Sequence, residues 1–440
     1  MRRLVALPGF SLAVPFLATA VLLLPLFGAA VAWVAPALAA TSPRSWPILA
    51  ANHLGTLGWG TLTAMGALHQ MFPAMLGISH RPGRPALVQF ALTVLGLLLL
   101  ITGFLRQDAD WVAVGGGISW ASVGLLVVLL GRMLPHRRRW SRSVTGVLLS
   151  LFSLLLTVTW GALMALNWRF RFAPGLWLWA GVGVHAAVGL VGWFGQLVVS
   201  VSYYLLPRFT GVRLPGDGAL GWLLGLLNVS VALLVVAALR ADADLARAAA
   251  GLGALAAWAY ARDLVRFLRG ARQRAPDLTN GYWWAIAVQT AVLGALAAGW
   301  AAGGLRVEGV RLASASGLAI LAGWVTWAIM GQLYKVTPFL MWHYRYAKGM
   351  SAEEVPRLPA PYFPREGVVA FVLSVGGSSL AGTGVLLGSP LLAAVGGWTF
   401  FAGTGVYALL MGLSWMVAAM RGAASGRPPV KHPAPGRSDP

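Results

Sequence analysis

Three stretches of the chain carry the same residues at the same spacing. Each has a Gly-Trp dipeptide and then a proline fourteen residues after the tryptophan: Gly58-Trp59 with Pro73, Gly192-Trp193 with Pro207, and Gly323-Trp324 with Pro338. The tryptophans at 59, 193 and 324 are therefore separated by 134 and 131 residues. A near-constant period predicts one structural unit present three times. The alternative is convergent helix packing, in which glycine permits close approach, tryptophan anchors the helix and proline ends it.

Two further positions of this frame agree between the copies. One is always a small residue and the other is always a polar ring: Gly66, Ser200 and Gly331 for the first, and His69, Tyr203 and Tyr334 for the second.

The composition predicts an all-α integral membrane protein. Hydrophobic residues make up 58% of the chain and charged residues only 10%, whereas a soluble domain has about 25% charged residues. Apolar segments long enough to cross a bilayer as helices recur along the whole chain. We expect twelve: 10–36, 49–78, 86–105, 111–131, 143–166, 176–206, 218–239, 245–268, 281–303, 312–340, 367–388 and 391–420.

The distribution of positive charge predicts the orientation. Of the 33 Lys and Arg residues, 24 lie before the first segment, in the even-numbered connections or the segment ends beside them, or in the tail. This positive-inside bias places both termini in the cytoplasm of a multi-pass protein of the cell (inner) membrane. The net charge of +21 is therefore expected to meet anionic lipid head groups rather than nucleic acid.

The chain is expected to form one transmembrane domain, residues 1–420, followed by a basic, disordered cytoplasmic tail, residues 421–440. The N-terminal residues resemble a secretory signal, but their apolar run is longer than that of a cleaved signal and predicts a retained first span. The longest connection, residues 341–366, is predicted to be a cytoplasmic loop. Cysteine is absent, which excludes disulfides and thiolate sites.

Few charged side chains fall inside the predicted spans. Only Asp263 among the twelve acidic residues does so, at a span end where the interface could solvate it. The lack of a deeper acid disfavours a proton pump or a cation-coupled transporter. Lys335 lies three residues before Pro338, and it could snorkel to the interface or belong to a proton path.

Three histidines lie inside predicted spans, and neutral imidazole is a good ligand for heme iron and copper. His53 and His69 are about 24 Å apart along one helix, so they cannot share a metal ion. His53 and His185 lie at similar depth on different helices and could face one cofactor, or each could bond a backbone carbonyl in the bundle. His69 is expected to be a satisfied packing residue or a polar contact on the cytoplasmic side, near Gln70.

Trp59 and Trp193 lie deep in their spans rather than at the membrane interface. Either tryptophan could pack against a porphyrin face or against the core of the bundle. The sequence contains no phosphate-binding loop, HExxH motif or nucleophile elbow that would point to another chemistry.

The segments from Asn52-His53 to Pro73 and from Val184-His185 to Pro207 resemble the second and sixth helices of subunit I of heme-copper oxidases and nitric oxide reductases, the first being similar to the C-type members. The resemblance implies twelve helices in three pseudo-symmetric arcs of four, related through helices two, six and ten. It also implies that His53 is a heme ligand and that His185 matches a copper ligand.

The chain departs from that family at the metal sites. Segment 312–340 contains no histidine to complete the low-spin heme site or to hold the high-spin heme, and segment 218–239 lacks the histidine pair that would complete a copper site. The resemblance therefore argues against copper and against a complete binuclear centre.

We accordingly expect a divergent subunit I-like protein with at most one b-type heme, held by His53 and His185 and flanked by Trp59 and Trp193. Its role would be respiratory electron transfer or the handling of heme or nitric oxide, with a cytochrome or another respiratory subunit as partner. Whether it is an enzyme stays open. The alternatives are a multi-pass transporter or permease, and a ligand-free scaffold subunit of a respiratory complex.

Overall fold

The computed structural model describes residues 10–40, 45–79, 83–173, 176–210, 212, 217–270, 278–305, 307–346 and 363–424. Within these residues the chain is helical and has no β-strand. Its long helices are α1 (Phe10–Ala40), α2 (46–76), α3 (Arg84–Arg106), α4 (Ala109–Gly131), α5 (Arg142–Phe170), α6 (176–210), α7 (Asp217–Arg240), α8 (Ala243–Gly270), α9 (Leu278–Ala301), α10 (309–346), α11 (Pro364–Leu387) and α12 (Pro390–Ala424). Each of the twelve predicted segments overlies one of these helices.

Ten of these helices are long and apolar enough to cross a membrane, so the prediction of a multi-pass membrane protein is confirmed at that level. The other two are α2 and α8. Helix α2 carries Asn52, His53, His69 and Gln70, and α8 carries charged residues at both ends; these side chains lower the hydropathy of otherwise apolar helices. Twelve spans therefore stay a prediction.

The three helices that carry the repeated frame have a feature that the sequence did not predict. Each contains a π-helical segment around its Gly-Trp dipeptide: Leu54–Thr61 in α2, Val188–Gly195 in α6 and Ala319–Val325 in α10. The flanking α-helical parts are Trp46–His53 and Leu62–Leu76, Leu176–Ala187 and Gln196–Thr210, and Gly309–Leu318 and Thr326–Tyr346. π-Helical turns are rare and are frequent at functional sites.

The small residue of the frame makes the same kind of contact in all three copies. A Cβ atom at Gly66 would lie 2.7 Å from the Cβ of Phe16 in α1, and one at Gly331 would lie 2.8 Å from the Cβ of Tyr282 in α9. Ser200 is fully buried against Gly146 in α5. Each frame helix therefore packs tightly against the helix that precedes it at this position, where a larger side chain could not fit.

The packing order places the frame helices inside the bundle. Consecutive helices lie side by side, and α12 packs against α1, so the contacts close into a ring. The three π segments meet inside it: those of α2 and α6 each contact that of α10, and the Nε1 of Trp193 in α6 donates to the Thr61 hydroxyl in α2. A rotation that superposes three arcs of four helices stays a prediction.

The structure corrects the expected environment of Asp263. This residue is only 3% exposed, so its carboxylate is not solvated at the interface. The hydroxyl of Tyr203 donates to it at 2.6 Å, and the guanidinium of Arg262 lies 3.2 Å away. A buried charge requires such partners, and the fold supplies one of them from another helix.

Several predicted boundaries also change. Helix α10 continues to Tyr346 and α11 begins at Pro364, so the connection predicted at 341–366 is shorter than expected. Helix α12 continues to Ala424, four residues into the predicted tail. Residues 347–362 and 425–440 and the first nine residues lie outside the described part of the chain.

Candidate functional site

The structure brings His53 and His185 together. Their ring centroids are 6.1 Å apart and their planes differ by 24°. His53 ends the first α-helical part of α2, directly before the π segment, and His185 lies three residues before the π segment of α6. Two residues that are 132 positions apart in the chain therefore form one site.

Both imidazoles are fixed through the same nitrogen. The Nδ1 of His53 donates to the Leu49 carbonyl at 2.8 Å, and the Nδ1 of His185 donates to the Thr157 carbonyl at 3.0 Å. A carbonyl oxygen only accepts, so each ring carries its proton on Nδ1 and leaves the Nε2 lone pair available. A hydrogen bond from the second nitrogen to a carbonyl is the usual way in which a metal-binding histidine is oriented.

A glycine on α5 makes room for the second ring. A Cβ atom at Gly161 would lie 2.9 Å from the Cε1 of His185, which is too close for any other residue. Gly161 is one helical turn after Thr157, whose carbonyl accepts from the same ring. The wall of α5 thus provides both the space and the hydrogen bond that set the position of His185. Neither Gly161 nor Thr157 was predicted from the sequence, because neither belongs to a recognisable motif.

A cluster of aromatic side chains from three helices begins beside the other ring. The Phe104 ring of α3 lies 4.9 Å from His53. Trp46 of α2 and Trp168 of α5 lie 6.2 and 6.3 Å from Phe104, and 5.1 Å from each other. Such rings provide a large apolar surface with weakly polar edges, which meets His53 through Phe104.

Trp59 and Trp193 are both placed in the main hydrophobic core, 0% and 1% exposed. Each is about two helical turns along its helix from the histidine of that helix. Both tryptophans therefore pack in the core of the bundle, which is one of the two alternatives predicted from the sequence. That either one also packs against a porphyrin face stays a prediction.

His69 lies apart from the histidine pair. It is 1% exposed, and its Nε2 donates to the Oε1 of Gln89 in α3 at 2.5 Å. This buried, hydrogen-bonded position is that of a packing residue. Lys335 is half-buried, and nothing in the structure decides between its two predicted roles.

The pair offers two donors and no more. Within the described residues, no group of three or more His, Cys, Asp or Glu side chains is placed to hold a metal ion. Neither a protein-family model nor a curated protein matches this sequence. The resemblance to heme-copper oxidase subunit I therefore depends on the residues and the helix order described above.

Proposed function

We propose that this protein is a membrane electron carrier that holds one b-type heme between His53 and His185, on a scaffold related to subunit I of heme-copper oxidases. The observation that carries the proposal is the juxtaposition of two imidazoles, each oriented through Nδ1, on two of the three helices that share the repeated frame.

The spacing of the rings would allow His53 and His185 to hold one iron together. A metal–imidazole nitrogen bond is about 2 Å long, and the ring centroid lies roughly 1 Å beyond the nitrogen. Two imidazoles on opposite sides of one ion therefore have centroids about 6 Å apart, and those of His53 and His185 are 6.1 Å apart.

The number of donors favours a heme over a bare metal ion. A porphyrin provides four nitrogens, so two histidines complete the coordination of its iron. A bare zinc or copper(II) ion at this pair would need further ligands, and the described residues supply no third His, Cys, Asp or Glu. Phe104 provides an apolar ring beside His53, as expected at a site for an apolar macrocycle.

The donor set also indicates the chemistry. A heme held by His53 and His185 would supply one-electron transfer. The chain's own contribution is to orient both imidazoles through the Leu49 and Thr157 carbonyls and to keep the site dry with aromatic side chains. The pair lies on α2 and α6, whereas the resemblance would place the heme between the second and tenth helices, so this would be a rearranged site.

The wider context is part of the same proposal. The positive-inside bias supports a protein of the cell (inner) membrane with cytoplasmic termini, which places the histidine pair near the outer surface. The natural partner of such a site is a cytochrome or another respiratory subunit that donates or accepts one electron.

The test is an optical spectrum and a metal analysis of the protein purified from heme-replete membranes. We expect a Soret band, split α/β bands on reduction, and about one iron per chain. His53→Ala and His185→Ala should each lower the iron content at least about tenfold, because a single axial ligand holds heme weakly. His136→Ala, at an exposed histidine in the short helix Leu134–His136, is the matched control.

A folded but colourless, metal-free protein would overturn the proposal. Stoichiometric metal without porphyrin absorption would indicate that the histidine pair binds a bare metal ion and not a heme. Solute uptake by proteoliposomes made from a colourless preparation would favour a permease, and stable co-purification of a colourless chain with a cytochrome would favour a scaffold.

A further inference from the structure

A second site lies at the opposite ends of α2 and α6 from the histidine pair. A cavity of about 430 Å³ opens there between the end of α2, the connection before α5 and the end of α6. Arg139, Arg208, Ser141, Ser143 and Tyr204 are among the residues that line it. None of them belongs to the proposed heme site.

The cavity is lined by two arginines and by no acidic residue. The three ion pairs within the described residues are Arg169–Asp110, Arg247–Asp244 and Arg262–Asp263, so neither Arg139 nor Arg208 is paired with an acid of the described part of the chain. Asp263 is close, because the Tyr203 ring lines the cavity and its hydroxyl donates to that carboxylate. That carboxylate is already paired with Arg262, so both lining guanidinium groups are available to an anion.

Both arginines are held in position before any ligand arrives. The Arg138 and Arg139 amides donate to the Leu76 carbonyl at the end of α2, at 2.9 and 3.1 Å. Gly77 has a φ of +70° there, and the aliphatic part of the Arg139 side chain lies against it. The guanidinium of Arg208 stacks on the Tyr204 ring at 3.5 Å and donates to the Tyr204 carbonyl. Groups that are already ordered lose less entropy on binding.

The N-terminus of α5 adds to the positive electrostatic potential of the cavity. The Ser141 hydroxyl accepts from the Val144 amide and so begins α5, a helix of 29 residues. Ser143, in its first turn, is buried and lines the cavity. The start of a long helix favours an anion, and two arginines with hydroxyl groups match the geometry of phosphate oxygens.

The surroundings indicate where the phosphate comes from. Trp140 lines the cavity and is 52% exposed, as expected of a side chain anchored at a membrane interface. The connection also carries Arg132, Arg137, Arg138 and Arg142, a cluster typical of contact with anionic lipid. We propose that this cavity binds the phosphate of an anionic phospholipid head group, whose acyl chains lie along the outer surface of the bundle.

The test uses the full-length protein, delipidated in detergent and incubated with phosphatidylglycerol or with diacylglycerol of the same acyl chains. Native mass spectrometry should show phosphatidylglycerol retained and diacylglycerol lost. Arg139→Gln combined with Arg208→Gln should lower phosphatidylglycerol occupancy at least about fivefold, because two charge-assisted contacts are removed. The matched control is Arg266→Gln with Arg269→Gln, two exposed arginines at the same end of the bundle that do not line the cavity.

The same preparations distinguish the source of the phosphate. If inorganic phosphate binds to the native protein and the lipid does not, the ligand is a soluble phosphate compound and the lipid proposal is wrong. The cavity would still be a phosphate-binding site. Equal retention of phosphatidylglycerol by both double variants, with the folded state verified by thermal melting, would overturn the proposal. So would equal retention of diacylglycerol by the native protein.

Discussion

Helices α2 and α6 share their sequence frame with α10, but their polar side chains are satisfied differently. At the polar-ring position, His69 donates to Gln89 and Tyr203 donates to Asp263. The equivalent Tyr334 is 2% exposed, and its hydroxyl has no hydrogen-bond partner in the part of the chain that the structure describes. The Tyr282 hydroxyl and the Gln332 amide are likewise buried without a partner among the described residues.

The polar side chains near the frame therefore have different surroundings in α2 and α6 than in α10. Around α2 and α6 the histidines are anchored through one nitrogen and keep the other available, which suits a ligand. Around α10 the tyrosine rings pack on one another instead: Tyr334 lies 6.4 Å from Tyr282 and 5.2 Å from Tyr407. The residues of the repeated frame therefore contribute to helix packing. Residues outside the frame, such as His53 and His185, provide the ring nitrogens that are available to a ligand.

The largest expected effect comes from filling the space beside His185. Gly161→Ala places a Cβ atom 2.9 Å from the ring, so the imidazole must move away from the Thr157 carbonyl. We expect the iron content to fall at least about tenfold, since misplaced ligands lose most of their metal affinity. Gly117→Ala in α4, where a Cβ atom meets nothing within 4 Å, should retain full iron. Normal iron in Gly161→Ala would show that His185 is not held by α5.

A smaller effect is expected at the small position of the frame. Gly66→Ala in α2 and Gly331→Ala in α10 each create a contact shorter than 3 Å with the preceding helix. Each should lower the unfolding free energy by about 1–3 kcal/mol, as overpacking does. Gly412→Ala, with open space around it, is the control. Thermal unfolding followed by tryptophan fluorescence measures all three, and a neutral result in one copy only would show that the copies do not pack alike.

The smallest effect separates two buried tyrosines of the α10 region. The Tyr407 hydroxyl donates to the Met330 carbonyl at 2.9 Å, so Tyr407→Phe should cost about 1 kcal/mol of stability. Tyr334→Phe removes a hydroxyl without a partner and should be neutral or stabilising. Equal destabilisation by both changes would instead indicate a buried water bridging Tyr334, Tyr282 and Gln332.

Helix positions were predictable because apolar length is a local property. Each of the twelve predicted segments lies on a helix, with ends that differ by a few residues where chain polarity changes gradually. The burial of Asp263 was not predictable, because the residue that satisfies it, Tyr203, is 60 positions away. The π segments were also missed: their sequences are rich in glycine, but glycine alone does not distinguish a π turn from a close helix contact.

The candidate site was also predictable only in part. The sequence indicated His53 and His185 as histidines at similar depth, and it left open whether they face one another. The fold decided this through Gly161 and Thr157 on α5, neither of which has a chemical signature of its own. The phosphate cavity was indicated only as a basic connection, since its shape depends on the ends of α2 and α6.

The sequence by itself determined that this chain is a bundle of membrane helices with a frame present three times. Hydropathy and residue spacing are local properties, so both can be read directly from the sequence. Only the tertiary structure decided that two imidazoles lie 6.1 Å apart and that two arginines share one cavity. Such proximity depends on how separate helices pack, and the close approach at residues such as Gly161 and Gly331 has no local signature in the sequence.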